Sequence, residues 1–351
     1  MIAPSAAEAA FRAAAKERIL VKDGPYGTAI QKLGLQESDY RGRLTVNHDQ
    51  KGNNDILNLT LPDAIAGVGR SYIESGADLL ATNTFNANSI SQADYGTEGL
   101  VREINLAAAR ILRAEADTAT ARDGKPRFVA GALGPTNKTL SLSPRVEDPG
   151  YREVDFDGVK AVYREQIDAL LDGGVDFILI ETVFDTLNAK AAAFAALEAE
   201  DARQQRVPVM ISMTLTDLAG RNLSGQTVEA FWVSVQHVRP LTIGLNCSFG
   251  ATELRPHVQI LARQADTLLM VYPNAGLPNA FGGYDELPET TGRLIHEWAE
   301  AGFINVVGGC CGTTPAHIAA MAGAVSALPP RNPPAVKPAL RLSGLEASVF
   351  A

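Results

Sequence analysis

The chain has 351 residues, enough for one large domain or two ordinary ones, and its composition of 46% hydrophobic and 20% charged residues is typical of a globular protein with a sizeable core. A formal net charge of −9 gives no basic surface for nucleic acid or an anionic membrane, and no apolar run approaches the ~20 residues that cross a bilayer. With three cysteines and no secretory signal, we expect a cytoplasmic protein without a disulfide framework.

Short apolar runs rich in β-branched residues alternate along the chain with segments of helical periodicity. Such an alternation predicts a parallel sheet covered by helices, and eight runs is the number that closes a (β/α)8 barrel. A doubly wound open sheet is the alternative, but no Gly-x-Gly-x-x-Gly opens a helix after the first run. We therefore predict a single barrel over residues 18–328, preceded by a helix over 1–17. The predicted strands lie near residues 18–24, 78–85, 127–135, 176–183, 207–215, 242–248, 267–276 and 304–312.

Residues with polar or reactive side chains fall where these predicted strands end. In a (β/α)8 barrel the strand ends meet at one rim, where the active site lies. A long connection over about residues 25–61 follows the first strand and has a length typical of functional loops. The Pro-rich segment 329–351 predicts a linker or an arm that wraps the barrel. The strand-end residues are Asp23, Asn83, Asn137, Glu181, Asn246, Cys247, Asn274, Cys310 and Cys311.

Three explanations compete for Cys247, Cys310 and Cys311: small core residues, a vicinal disulfide, or thiolate ligands of a soft metal. Adjacent residues of a strand point to opposite faces, so the pair cannot face one core unless the flanking glycines turn the backbone. A vicinal disulfide would be strained and would leave Cys247 unexplained. Convergence of three thiols on the rim favours zinc, with three protein ligands and an open fourth position, although a Cys-Cys pair alone also fits a core role.

The chemistry of such a zinc site would suit a thiol substrate. A metal-bound thiol is deprotonated at neutral pH, whereas a free thiol with a pKa of ~8.5 is mostly protonated. Three protein thiolates already make the site negatively charged, and a fourth thiolate adds to that charge. The high negative charge keeps a bound sulfur electron-rich, which favours alkylation of a thiol over hydrolysis by water.

Six stretches of the chain are similar to the homocysteine S-methyltransferase family, and most of all to the N-terminal homocysteine-binding module of cobalamin-dependent methionine synthase. They are ATNTFNANSISQADYG, GALGPTNKTLSLSP, ETVFDTLNAKAA, GLNCSFG, NAGLPNAFGGYD and VVGGCCGTTPAHI. The likeness extends over residues 17–346. It implies a (β/α)8 barrel in which Cys247, Cys310 and Cys311 hold Zn²⁺ and homocysteine binds as the fourth ligand through its sulfur.

The resemblance also implies roles for two carboxylates. Glu181 matches the strand-end glutamate of the family and is expected to pair with the substrate ammonium. Its alternative role is to cap the helix that follows, for which Asp185 and Thr186 are better placed. Asp23 belongs to the family's Asp-Gly-x-x-Gly-Thr motif and is expected either to face the substrate or to form a turn with Gly24.

Two asparagines complete the predicted substrate site, and the loop after the first strand departs from the family. Asn246 is expected to orient the ligand by hydrogen bonds rather than to contact the substrate, whereas Asn274 could serve either role. Pro25 and Tyr26 stand where the family has Gly-Met or similar residues. Because Pro25 fixes φ and removes an amide donor, we expect a changed local shape of this loop.

The resemblance implies a methyl donor and a partner as well. In the multidomain enzyme the barrel is followed by folate- and cobalamin-binding modules, and RLSGLEASVF resembles the linker into the folate module. Because the sequence contains no Asp-x-His-x-x-Gly motif, we expect the homocysteine-binding component of a split methionine synthase. Its methylcobalamin would be held by a separate polypeptide. The alternatives are a stand-alone methyltransferase that uses S-methylmethionine or betaine, and a non-catalytic zinc barrel.

Overall fold

The computed structural model describes residues 2–350 and contains an eight-stranded parallel barrel. Each strand pairs with its neighbours in chain order, and the eighth pairs with the first. Each of the eight barrel strands lies within its predicted range, so the predicted (β/α)8 fold is confirmed. The strands are β1 Leu20–Val21, β2 Leu79–Ala81, β3 Phe128–Leu133, β4 Phe177–Val183, β5 Val209–Met213, β6 Thr242–Asn246, β7 Leu268–Tyr272 and β8 Val306–Val307.

The barrel closes between β1 and β2 through a short contact rather than a full ladder. Lys22 and Leu79 form a parallel bridge, and the Asp23 amide donates to the Leu79 carbonyl at 2.9 Å. On the other side of the bridge, the Asp78 amide donates to the Val21 carbonyl at 2.7 Å. These contacts fix the end of β1, from which the first long loop starts.

Helices surround the strands, and several begin with a recognisable signal. Ser5, Asp155, Asp185 and Thr227 each accept a hydrogen bond from a backbone amide of the helix that they precede. The helices found among residues 2–350 are α1 Ala6–Glu17, α2 Tyr26–Gln31, α3 Glu37–Arg41, α4 Leu57–Thr60, α5 Pro62–Glu74, α6 Ser89–Gln92, α7 Val101–Asp123, α8 Phe156–Asp172, α9 Thr186–Arg203, α10 Val228–Val235, α11 Ala251–Gln264, α12 Pro288–Glu300 and α13 Pro315–Val325. No helix in this part of the chain is long and apolar enough to cross a membrane.

The core has two layers because successive strand residues point to opposite faces. Leu20 and Leu179 belong to a buried cluster inside the barrel, whereas Val21 and Ile178 belong to a larger cluster between strands and helices. Helix α1, which contains most of the predicted N-terminal helix, adds Phe11 to the inner cluster. The Phe11 ring lies 5.2 Å and 5.1 Å from the rings that begin β3 and β4. Helix α1 therefore covers the amino-terminal end of the barrel, opposite the rim predicted to carry the site.

The C-terminal segment differs from the simple linker that its prolines predict. Residues Leu340–Ser343 and Ala347–Phe350 form an antiparallel hairpin, β9 and β10. The Ser343 hydroxyl donates to the Ala230 carbonyl at 2.7 Å, and the Thr227 amide donates to the Leu345 carbonyl at 3.1 Å. The hairpin is thus attached to the start of α10, which agrees with the wrapping arm rather than with a free linker.

Candidate active site

A cavity of about 300 Å³ opens at the carboxyl ends of the strands. Its lining includes all three cysteines together with Lys22 and Glu181. A second cavity, of about 440 Å³, lies between α10, α11 and the C-terminal hairpin, and its lining contains no cysteine or histidine. The reactive side chains therefore point to the rim cavity, where a barrel enzyme has its active site.

The three sulfur atoms converge although Cys247 follows β6 and the other two follow β8. They lie within 4.8 Å of one another, and the sulfurs of Cys247 and Cys311 are 3.8 Å apart. Tetrahedral zinc with Zn–S bonds of ~2.3 Å separates its sulfur ligands by ~3.8 Å. All three thiols are free, so the vicinal disulfide is not formed. Each cysteine is half-buried and lines the cavity, and Cys310 also packs against the buried cluster inside the barrel.

Unusual backbone conformations turn the sulfurs toward one another. Cys247 and Ser248 have φ of 63° and 60°, in the left-handed region that costs a non-glycine residue about 1–3 kcal/mol. Gly312 has φ of 80°, and a Cβ at this position would overlap the ring of Tyr284. The Thr313 hydroxyl donates to the Cys310 carbonyl at 2.7 Å and holds the turn. Of the glycines that flank the cysteine pair, Gly312 has a left-handed backbone, whereas Gly308 and Gly309 do not.

The thiols depend on one another for their protonation. Hydrogen bonds with Cys247 and Cys310 lower the pKa of Cys311 to about 3. Hydrogen bonds with the other two cysteines, together with burial, raise the pKa of Cys310 well above its usual range. For Cys247, the hydrogen bond with Cys310 favours the thiolate, but the bond with Cys311 and burial raise the pKa to about 11. The hydrogen bonds within the cluster thus favour the thiolate form of Cys311 and the thiol forms of Cys247 and Cys310.

Glu181 reaches the cavity from a bulge in β4. The register between β4 and β5 shifts between Ile180 and Val183, and Thr182 has φ of 56°. The Glu181 carboxylate accepts a hydrogen bond from the Tyr272 hydroxyl at 2.9 Å. Burial raises the pKa of Glu181, although the Lys22 charge acts in the opposite direction. The bulge therefore presents a mostly buried carboxyl group to the cavity.

Asn246 holds this bulge in place. Its Oδ1 accepts the Thr182 amide at 3.0 Å and the Ser212 hydroxyl at 2.7 Å, and its Nδ2 donates to the Thr182 hydroxyl at 2.8 Å. Its Nδ2 also lies 3.8 Å from the Cys310 sulfur. Asn246 thus connects Thr182, next to Glu181, with the cysteine cluster, and its orienting role toward the ligand stays a prediction.

The other two predicted substrate residues are buried behind the cavity lining. The Asp23 carboxylate accepts the Lys22 ammonium at 2.8 Å and the Ala81 amide at 2.9 Å, so both of its oxygens have protein partners. Asn274 is 2% exposed, and its backbone N–H donates to the Phe249 carbonyl at 3.0 Å. A contact of Asp23 or Asn274 with substrate stays a prediction. Of the remaining strand-end residues, Asn83 lines the cavity, whereas Asn137 donates to Asp94 on an exposed loop.

Lys22 and Tyr272 are site residues that sequence reasoning missed. The Lys22 side chain is buried, and its Nζ lies 4.6 Å from the centroid of the Tyr272 ring. Burial lowers the pKa of Lys22, but the negative charges of Asp23 and Glu181 have the larger effect, so the lysine pKa is raised. The sequence offered one signal for Lys22, namely a charged residue directly after the apolar run ILV.

The loop after β1 forms one wall of the cavity, as its length predicted. Pro25 precedes α2, and its carbonyl accepts the Tyr72 hydroxyl at 2.9 Å. Tyr26 is mostly buried, with its ring edge-on to Tyr72 at 6.4 Å. Asp55, from the same loop, lines the cavity, and burial raises its pKa to about 7. Pro25 and Tyr26 are thus anchored by packing against α5.

Comparisons with known proteins agree with this fold. The family model described as homocysteine S-methyltransferase matches residues 20–325. The metallated form of the homocysteine methyltransferase MmuM from Escherichia coli is similar in structure, with a TM-score of 0.68 and 23% sequence identity over 88% of this chain and 96% of that chain. Its apo form gives a TM-score of 0.64 and 22% identity over 88% of this chain and 97% of that one. Because the family model covers most of the chain, the protein belongs to the homocysteine S-methyltransferase family and is a methyltransferase.

Proposed function

We propose that the chain is the homocysteine-binding component of a cobalamin-dependent methionine synthase and presents homocysteine as a thiolate for methylation. The observation that carries this proposal is the convergence of three free thiols at the rim, with two sulfurs separated by 3.8 Å. A thiolate set of this geometry suits zinc with one open position. The same cavity contains Glu181, which suits the amino end of an amino acid.

In this proposal Cys247, Cys310 and Cys311 hold Zn²⁺. Zinc bound there would lower the pKa of a substrate thiol, so that the thiolate is present at neutral pH. The donor set supports zinc because soft thiolates select it over oxygen-preferring cations. The protein keeps the three sulfurs in place through the left-handed backbone of Cys247 and the turn at Gly312.

The chain's own residues would then bind and orient homocysteine. Glu181 receives the substrate ammonium, and the Tyr272 hydroxyl holds one oxygen of this carboxylate. Asn246 fixes the bulge from which Glu181 projects. This placement of the amino end would direct the sulfur of the substrate toward the cysteines.

Methylcobalamin, held by a cobalamin-binding module on a separate polypeptide, is the proposed methyl donor. The cavity of about 300 Å³ is at the small end of ligand sites, so it suits an amino acid and not a corrin ring. A large donor must therefore present its methyl group from outside the rim. The similarity of six stretches to the methionine synthase module supports this donor over S-methylmethionine and betaine.

The first experiment tests thiol activation without turnover. We expect the zinc-loaded protein to bind L-homocysteine and release about one proton per thiol at neutral pH, measured by calorimetry in buffers of different ionisation enthalpy. Single Cys247→Ala, Cys310→Ala and Cys311→Ala variants should lose most bound zinc while keeping the far-ultraviolet circular dichroism of the barrel. Full zinc retention in any of them would remove that cysteine from the ligand set.

The second experiment tests the donor. The protein should form methionine slowly with free methylcobalamin and faster with a cobalamin-carrying partner, because docking raises the effective concentration of the donor. It should show no turnover with methyltetrahydrofolate alone. Rapid reaction with S-methylmethionine or betaine, together with none from methylcobalamin, would instead identify a stand-alone methyltransferase. Unchanged metal coordination on addition of homocysteine would identify a non-catalytic zinc barrel.

A further inference from the structure

The rim cavity contains a cation and an anion that are not paired with each other. Lys22, at the end of β1, has its ion pair with Asp23 at 2.8 Å, and Glu181 accepts its hydrogen bond from Tyr272. Both Lys22 and Glu181 line the cavity together with the three cysteines. A cavity that offers one positive and one negative group beside a thiol-binding site is complementary to a zwitterion with a thiol.

The Lys22 ammonium is held in place and still has donors to offer. An ammonium has three N–H donors, and the Lys22 hydrogen bond found within residues 2–350 goes to Asp23. The second oxygen of Asp23 is fixed by the Ala81 amide at 2.9 Å, so the carboxylate is a rigid anchor. The face of the Tyr272 ring supports the ammonium at 4.6 Å.

Homocysteine has a carboxylate on the same carbon as its ammonium. If Glu181 takes the ammonium, the carboxylate enters the same cavity and needs a partner of opposite charge, because a buried unpaired charge is strongly unfavourable. We propose that Lys22 binds the α-carboxylate of the substrate and thereby selects thiols that are α-amino acids. This inference rests on the proposed function and adds a specificity-determining residue to it.

A purely structural role would make Lys22 the partner of Asp23 and nothing more. That role predicts that removal of Lys22 lowers stability but leaves the choice between ligands unchanged. The proposed role predicts a loss of preference for the carboxylate, which a change in stability does not produce. The test therefore compares two ligands on each variant and measures binding rather than activity.

The ligands are L-homocysteine and 3-aminopropane-1-thiol, which lacks only the carboxylate, and the full zinc-loaded chain is titrated with each by calorimetry. We expect the natural protein to prefer homocysteine by about 10- to 100-fold, as for a charge-assisted hydrogen bond in a buried site. Lys22→Met should lose most of this preference, and Lys22→Arg should keep much of it. Lys125→Met is the matched control, because Lys125 pairs with the buried Asp78, away from the cavity. It should keep the full preference.

The outcomes separate this inference from the proposed function. Equal binding of both thiols by the natural protein, or an unchanged preference in Lys22→Met, would overturn the role of Lys22 alone. Failure of both thiols to bind the zinc-loaded natural protein would overturn the proposed function and the inference with it. If Lys22→Met does not fold, Lys22→Met combined with Asp23→Asn removes the pair together, and the same loss of preference is expected from it.

Discussion

Replacement of Asn246 by alanine should weaken both the fold and the binding of homocysteine. The side chain is 1% exposed and makes three hydrogen bonds with Thr182 and Ser212, besides a weaker one with the Cys310 sulfur at 3.8 Å. At about 1 kcal/mol for each bond, we expect Asn246→Ala to lower the free energy of unfolding by about 3 kcal/mol. The substitution also removes the contacts that hold Thr182 at its unfavourable φ of 56°, so its backbone can relax.

The effect on binding follows from the bulge. Glu181 precedes Thr182, so relaxation of the bulge moves the carboxylate away from its position beside Tyr272. A misplaced carboxylate should weaken homocysteine binding by about tenfold or more, the equivalent of about 1.4 kcal/mol. Urea unfolding and calorimetric titration of the zinc-loaded protein measure the two effects separately.

A matched variant distinguishes local instability from misplacement of Glu181. Asn305 is also 1% exposed, and it accepts from the Leu269 amide at 2.9 Å and donates to the Arg331 carbonyl at 2.7 Å, next to the amino-terminal end of the barrel. Asn305→Ala should lower stability by a similar amount and leave homocysteine affinity unchanged. Equal weakening of homocysteine binding in Asn246→Ala and Asn305→Ala would refute the role that we assign to Asn246.

Two further predictions concern protonation and backbone shape. Burial raises the pKa of Asp55 from 3.8 to about 7, so folding favours the protonated carboxyl group. The stability of the natural protein relative to Asp55→Asn should therefore be greatest below pH ~4 and should fall as the pH rises through 7. At about 1.4 kcal/mol per pH unit the loss is about 4 kcal/mol, measured by urea unfolding of reduced, metal-free protein; a pH-independent difference would contradict it. Gly312→Ala should lower zinc content, because φ is 80° and the Tyr284 ring occupies the Cβ position. Gly124→Ala, at φ of 73° with open space around it, should cost about 1 kcal/mol and keep full zinc, and equal zinc loss in both variants would argue against the reasoning.

The barrel and the meeting of the cysteines could be predicted because both follow from periodic patterns. Eight apolar runs separated by helices allow few topologies, and parallel strands bring Cys247 and Cys310 to one rim although 63 positions separate them. The strands proved shorter than the apolar runs, and β1 and β8 contain only two residues each, although flanking residues such as Lys22 still form hydrogen bonds with the neighbouring strand.

The remaining site features depend on contacts across the barrel, which a local pattern does not encode. Lys22 contacts the ring of Tyr272, a residue 250 positions later in the chain, and the bulge at Thr182 is stabilised by Asn246 from a strand two places away. Whether Asp23 faces the cavity or pairs with its neighbour depends on the direction of one side chain. The hairpin at residues 340–350 was missed because its hydrogen bonds to α10 offset the absence of a buried apolar face.

The central claim is that three cysteines leave one position on zinc for the substrate sulfur. X-ray absorption at the zinc edge tests it most directly, on protein reconstituted with one equivalent of zinc and measured before and after addition of L-homocysteine. We predict three sulfur ligands at ~2.3 Å and one lighter ligand in the first spectrum, and four sulfur ligands in the second. Fewer than three sulfurs before addition, or an unchanged sulfur count after saturation with homocysteine, would contradict the account.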